Sequence, residues 1–236
     1  MQKFQFNLPS ECEEKLNQVI DLFWGVERNY VMMAALCGSD VNLNGFYYCF
    51  NFCAARTRLY WEKFCKYLIV RGGQLNVNTI KPMIEVPKNL EHGVIPLMEI
   101  TLQMEEAMAE SLRELILLAK NKGDLETSAF VQTWPLRNFV RRIKWATYHL
   151  NGMKSCNNDH VYNRLCMQPL ITAWKERVVT ETYRPFERAL LISYGEIQGV
   201  QDKKFGYNPM FGSRYKAPTY DTNNAEEVFV DMFNIY

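Results

Sequence analysis

The sequence predicts an all-α protein: a four-helix bundle with a long crossover, a short fifth helix and an extended, aromatic-rich C-terminal tail. Three observations carry this. Apolar residues recur at helical spacing over four long stretches. The connection from Gln74 to Lys88, with Pro82 and Pro87, is too long for a hairpin and reads as a crossover along a bundle. From Pro185 onward there are ten Phe or Tyr residues, a density too apolar for a solvated linker.

The elements follow in order. Ser10 and Glu13 have the spacing of a capping box, which starts a first helix carrying Leu16, Ile20, Phe23, Tyr30 and Ala34 to about Leu36. Cys37-Gly38-Ser39-Asp40 breaks it. A second helix over 42–71 aligns Phe46, Phe50, Cys53, Thr57, Tyr60, Phe64 and Tyr67 in one stripe. It stops at Gly72-Gly73, a left-handed cap, with Arg71 at the negative end of the helix dipole. The third begins between Glu91 and Pro96 and carries Met98, Leu102, Glu105, Leu112 and Ala119 to a stop at Asn121-Lys122-Gly123-Asp124. The fourth runs from about Leu125 to Lys154, with Phe130, Trp134, Phe139, Ile143 and Ala146 facing in. Pro135 predicts a kink between Val131 and Pro135. A further apolar-periodic run, Val161 to Val179 with Leu165, Leu170, Ile171, Trp174 and Val178, precedes the tail. The natural division is a bundle over 1–155 and a C-terminal helix with its extension over 156–236.

Composition narrows the function. The 27 basic and 26 acidic side chains nearly cancel, so no global field draws nucleic acid or an anionic membrane. A local band, Arg137, Arg141, Arg142 and Lys144, would serve a nucleic-acid-binding helical module, although such a band on a long helix is more usually a solvated face. The first residues lack the apolar core of a signal peptide, and no apolar run approaches the roughly 20 residues that span a bilayer. A soluble cytoplasmic protein without a membrane partner is expected. The seven cysteines include no Cys-x-x-Cys, and the odd number leaves at least one thiol without an internal partner. Cys49 and Cys53, one helical turn apart, read as buried or interface thiols rather than half a metal site. Three dispersed histidines form no Ser-His or Cys-His pair, and no glycine-rich phosphate loop is present, so no enzyme activity is expected.

The order of elements, together with several residue matches, resembles the ferritin family. Leu16-Asn17-Gln18 with Ile20, Leu22 and Tyr30 is similar to the family's first helix, and Asp40-Val41 with Leu43 and Phe46 to the start of its second. Glu62-Lys63, Lys66 and Arg71-Gly72-Gly73 match the end of the second. Met98-Glu99, Leu102 and Glu105 with Ser111-Leu112, Glu114-Leu115, Leu118-Ala119, Lys122 and Asp124 match the third, and Phe130-Val131 with Thr133 the fourth. The likeness covers about residues 10 to 155.

The resemblance implies a centre inside the bundle where ferrous iron is oxidised by carboxylates, a histidine and a glutamine. Its positions fall on Phe23, Tyr30, Thr57, Tyr60, Glu105 and Phe139, so only Glu105 and the tyrosine Tyr30 are kept. One carboxylate cannot supply the converging donors that such a metal needs, and neither iron nor another cofactor is expected. Glu27, one turn after Phe23, is a geometrically admissible substitute, but no histidine accompanies it. Phe23, Tyr30, Tyr60 and Phe139 are expected to pack together as apolar filler. The acidic funnels at the three-fold axes fall on Ala129 and Gln132, and the inner-surface positions that nucleate mineral on Arg56, Leu59 and Glu62. The resemblance further implies self-assembly into a closed octahedral cage, which takes twenty-four copies, alone or with other ferritin-like chains. Lost oxidation chemistry with a long extension is similar to artemin, a ferritin relative with a chaperone and RNA-associated storage role. The expected function is therefore a structural, protective or storage cage subunit without ferroxidase activity, with RNA or client proteins as further partners. The alternative is an inactive subunit of a mixed iron-storage cage.

Overall fold

The computed structural model describes residues 8–39, 42–76 and 79–169, and all regular structure within them is helical. Four long helical segments make the bundle. α1 spans Ser10–Gly38, α2 Asn44–Val70 and α3 Ile95–Asn121, while the fourth is built from α4, Leu125–Val131, and α5, Arg137–Cys156. A short α6, Asp159–Tyr162, follows. α1 packs chiefly on α2, and α3 on α5, so the core lies between two antiparallel pairs. Among the described residues no helix is long and apolar enough to cross a membrane.

The helix ends show how local sequence becomes geometry. α2 ends as predicted, with Gly72 at φ 79°; its N–H donates to the Ile69 carbonyl at 2.9 Å and that of Gly73 to Leu68 at 2.9 Å. This is the double closure of a Schellman cap. The start of α1 differs from the predicted capping box. Pro9 is the cap, Ser10 Oγ bonds Glu11, and the Glu13 carboxylate accepts from the Gln74 backbone N–H at 2.6 Å instead. Glu13 is recruited by the crossover because the start of that strap runs beside α1.

Two buried asparagines on α1 hold the crossover. Asn17 donates to the Gln74 carbonyl and accepts from Asn76 N–H, at 3.0 and 2.8 Å. Asn29 donates to the Ile84 carbonyl at 2.6 Å and accepts from the N–H of Met83 and Ile84, at 2.7 and 3.2 Å. A segment without helix or strand thus has backbone groups satisfied by side-chain amides that mimic a neighbouring strand. Gly25 lies between these two clamps. A Cβ there would meet the Lys81 carbonyl oxygen at 2.8 Å, so only glycine admits the strap so close to the helix.

The fourth helical segment is perturbed where Pro135 predicts, but the form is a single π turn, Gln132–Leu136. Proline removes one backbone donor and its ring crowds the carbonyl four residues back; a wider turn accommodates both. The side chain of Trp134, expected to face in, lies outside what is described, as do residues 170–236 and with them most of the run to Val179 and the tail. The described part of that run is α6 and a second π turn, Asn163–Met167. Here Leu165, expected in the apolar stripe, is 67% exposed. Asn163 turns inward instead, and its Oδ1 accepts the Phe46 N–H near the start of α2 at 3.2 Å.

At the base of the fourth segment, Asp124 caps α4 by accepting from the Thr127 N–H at 3.1 Å and pairs with Arg71 at 3.0 Å. Arg71 also donates to the Tyr67 hydroxyl at 2.5 Å. Predicted as a partner of the α2 dipole, Arg71 is buried and joins the end of α2 to the start of α4. Burial pushes Asp124 up, but its bonds to Thr127 and Arg71 outweigh this and hold it below the usual carboxylate range. At the other end, His149 of α5 is 2% exposed and shares a 2.8 Å hydrogen bond with the Tyr162 hydroxyl of α6.

Two outcomes follow from these clamps. Asn29→Ala leaves three backbone groups of the crossover without partners and should lower unfolding stability by about 2–3 kcal/mol, measured by urea titration. Burial lowers the His149 pKa from 6.5 to about 4. The unfolded chain then binds a proton that the folded chain refuses. Stability should be full above pH 6.5 and fall by on the order of 3 kcal/mol as pH drops towards 4. In His149→Phe this part of the pH dependence should vanish in a thermal-melt series.

Candidate functional site

The middle of the bundle is where the long helices bring their matched positions together. Phe23 from α1, Tyr60 from α2 and Phe139 from α5 meet there, each at most 1% exposed. Their ring centroids lie 6.0 Å apart for Phe23–Tyr60, 6.0 Å for Phe23–Phe139 and 5.2 Å for Tyr60–Phe139. Phe64 extends the group, edge-on to Phe23 at 5.4 Å. Tyr30 stacks on Phe50 at 6.4 Å and sends its hydroxyl to Glu105 Oε1 at 2.5 Å. Of the four aromatics expected to pack together, three form the ring cluster, and Tyr30 is drawn to the carboxylate.

Glu105 of α3 is 1% exposed and paired with Arg142 of α5, which is equally buried. The Arg142 guanidinium also lies over two rings, 5.1 Å from the Phe139 centroid and 5.8 Å from that of Tyr60. From α2, Arg56 comes to the same place. It is 1% exposed, donates to the Tyr60 hydroxyl at 3.2 Å and sits 5.6 Å from that ring's centroid. Thr57 is fully buried and returns its hydroxyl to the Cys53 carbonyl of its own helix at 2.8 Å.

Among the described residues the site therefore brings together two guanidinium groups and one carboxyl. Burial pushes Glu105 up, against the opposing pull of Arg142, Tyr30 and Arg56. Burial likewise pulls Arg142 down, but Glu105 with Tyr30 and Tyr60 outweighs it and holds the guanidinium above the usual arginine range. Arg56 is pulled below that range by burial; Tyr60 opposes the fall and the neighbouring Arg142 charge adds to it. Such an arrangement can hold negative charge, and its chemistry is ion pairing and cation–π contact.

Other predicted positions lie elsewhere. Glu27, weighed as a substitute ligand, has both oxygens engaged. Oε1 accepts from Arg58 at 2.8 and 2.6 Å and Oε2 from the Trp61 indole at 2.6 Å. Ala129 and Gln132 are exposed, and Gln132 donates to its helix neighbour Ser128 at 2.6 Å. Arg56 and Leu59, placed by resemblance on an inner surface, are instead buried within the chain at 1% and 7%, while Glu62 is half-buried. The basic band is also corrected. Arg142 belongs to the core, Arg141 is half-buried and Lys144 is exposed. Cys12, Cys37, Cys49, Cys53 and Cys65 are buried free thiols, and burial pushes Cys37 up to about 12. Among the described residues no three His, Cys, Asp or Glu side chains converge as a metal site.

Arg142 and Arg56 were read along the chain as part of a basic band and as an inner-surface position; their place at the bundle centre was not foreseen. Both signals were present in helical spacing: Arg142 follows Phe139 by three residues, and Arg56 precedes Tyr60 by four, so each shares a face with a matched position.

A helical bundle with a long crossover and a polar cluster at its middle is an architecture in which metal and ligand sites are built from facing helices. The family model described as a ferritin-like domain matches residues 13–156, and the chain belongs to the ferritin family. It is 27% identical over 155 residues to the chloroplastic ferritin of Phaseolus vulgaris, covering 64% of this chain and 60% of that one. To the soma ferritin of Lymnaea stagnalis it is 28% identical over 150 residues, covering 63% of this chain and 84% of that one. To the middle subunit ferritin of Aquarana catesbeiana it is 30% identical over 140 residues, covering 58% and 77%. The chain thus spans less than two thirds of the bean protein and more of the animal ones.

The two arginines make the site's stability asymmetric. Glu105→Leu leaves two buried guanidiniums facing each other and should cost about 3–5 kcal/mol. Arg142→Met leaves Glu105 with Arg56 as a countercharge and should cost clearly less. Urea unfolding of both variants against the unmodified chain checks the order.

Proposed function

We propose that this chain is a cage-forming subunit of the ferritin family that does not oxidise iron and serves a structural, protective or storage role. The observation that carries this reading is that Glu105, the one carboxylate among the positions matched to the family's oxidation centre, is paired with Arg142 and has Arg56 beside it. A ferrous ion needs several oxygen and nitrogen donors converging in open coordination positions. Here the single carboxylate is committed to a guanidinium and a phenol, the matched positions Phe23, Thr57, Tyr60 and Phe139 supply no carboxylate or imidazole, and two buried positive charges repel a cation. The donor set does not fit a dinuclear metal.

Assembly is supported by the surface. Val31, Met32, Ile69, Val70, Leu125 and Val140 are large apolar side chains exposed on the isolated chain, from 38% at Met32 to 73% at Leu125. Spread over several helices, they suit a subunit with more than one neighbour, as a closed cage requires. The matched segment is the one the chain shares with proteins named as ferritins.

The test uses the purified full-length chain. Ferrous iron added under air should oxidise no faster than in protein-free buffer, followed by absorbance. Sedimentation should give a particle far larger than the 27.7 kDa chain. Saturable, protein-dependent oxidation would sink the non-catalytic reading, and a monomer would sink the cage.

A further inference from the structure

We propose that Cys156 and Cys166 form a redox-active thiol pair, which a low-molecular-weight disulfide oxidises to a bond between the end of α5 and the second π turn. It is independent of whether the chain oxidises iron, and it assigns a chemistry to the end of the bundle where α6 docks.

Placement carries the proposal. Of the seven cysteines, five are buried, whereas Cys156 is exposed and Cys166 half-buried, so these two are the ones a dissolved oxidant reaches. They line one groove of about 580 Å³, together with Tyr148, Gly152, Val161 and Leu165. The fold brings them there in two steps. Asn157, left-handed at φ 50°, ends α5, and Asn158 starts α6 by accepting the Val161 N–H at 3.0 Å. α6 then packs against α5: the Tyr162 hydroxyl meets His149, and a Cβ at Gly152 would lie 2.8 Å from the same hydroxyl. Cys156 is the last residue of α5, and its Sγ leans over the turn to the Asn158 carbonyl at 3.7 Å. Cys166 follows Tyr162 by four residues in the π turn. Burial pushes the Cys166 thiol up and Cys156 adds to it, so the two sulfurs lie within electrostatic reach. Burial pushes the Tyr162 hydroxyl up as well, with Cys166, Tyr148 and Cys156 adding to it.

The surroundings suit the product. A groove walled by Tyr148, Val161 and Leu165 disfavours a thiolate but accepts a disulfide, which is uncharged and apolar. Cys156, the exposed thiol, loses its proton to solvent and attacks the small disulfide, forming a mixed disulfide and displacing one thiol. Cys166 then loses its proton and attacks the Cys156 sulfur, displacing the second thiol. The two protein thiols give up two electrons and two protons; the small disulfide takes up both and leaves as two thiols. α6 and the π turn are held on the bundle by hydrogen bonds, Asp159 to the Val94 N–H at 2.8 Å, Asn163 to the Phe46 N–H at 3.2 Å and Tyr162 to His149. The new bond adds a covalent tie to α5, so oxidation suppresses local opening of this segment.

The experiment incubates the full-length chain with oxidised glutathione and blocks remaining thiols with N-ethylmaleimide in denaturant. The product is separated on a non-reducing denaturing gel and digested with trypsin. Cleavage after Lys154, Arg164 and Lys175 parts the two cysteines, so the bond joins peptides 155–164 and 165–175. The joined pair should come from a band at the 27.7 kDa position and vanish after dithiothreitol. In Cys166→Ser it should be absent, with glutathione retained on Cys156. Hydrogen exchange of the amides of 159–167 should slow on oxidation and recover on reduction, in the unsubstituted chain and without any variant. Both cysteines recovered as maleimide adducts, a joined pair found only in a dimer band, glutathione retained on Cys156 of the unsubstituted chain, or exchange unchanged by oxidation would each overturn the proposal.

Discussion

Four long helices meet at their middle around Glu105, and how that carboxyl is neutralised constrains everything near it. Left alone in an apolar core it would have to take up a proton. Tyr30 and Arg142 reach it from α1 and α5 across the bundle. Three helices are therefore tied at one level by groups that cannot be moved singly without stranding a buried charge. The Arg142 guanidinium spreads its own burden over the faces of Phe139 and Tyr60, and Arg56 does the same with Tyr60. Aromatic residues at the neighbouring positions do more than fill space, because their π faces solvate a cation without adding another charge.

The rest of the architecture keeps this centre in register. Asn17 and Asn29 bind the crossover along α1, and Gly25 lets it approach between them. At one end the Arg71–Asp124 pair joins α2 to α4, and at the other His149 and Tyr162 dock α6 onto α5. The π turn at Pro135 lies between α4 and α5, so the strained piece of the fourth helix falls before the turns that carry Phe139 and Arg142. A family scaffold is thus retained, with an ion pair and ring faces packed at its middle.

Much of this was legible along the chain. The helical periods, the Gly72 cap and the crossover follow from local rules, because spacing and backbone freedom act within a few residues. The matched positions Phe23, Thr57, Tyr60 and Phe139 could be placed by counting. The capping box could not, because Glu13 had two possible partners and the strap's backbone N–H, distant in sequence, won. Arg71 was read as a partner for its own helix end, yet its ion pair is to a residue on another element.

What the sequence by itself determined is the inventory: long amphipathic helices, a crossover between the second and third, and a bundle centre short of carboxylates and histidines. Only the tertiary structure decided where the arginines go. Arg142 and Arg56 stand in stretches rich in basic residues, and by composition each belongs on a surface. Burial is a property of the assembled helices. A guanidinium is drawn inside only where a carboxyl and ring faces from other helices converge to receive it, and that convergence is set by packing between residues far apart in the chain.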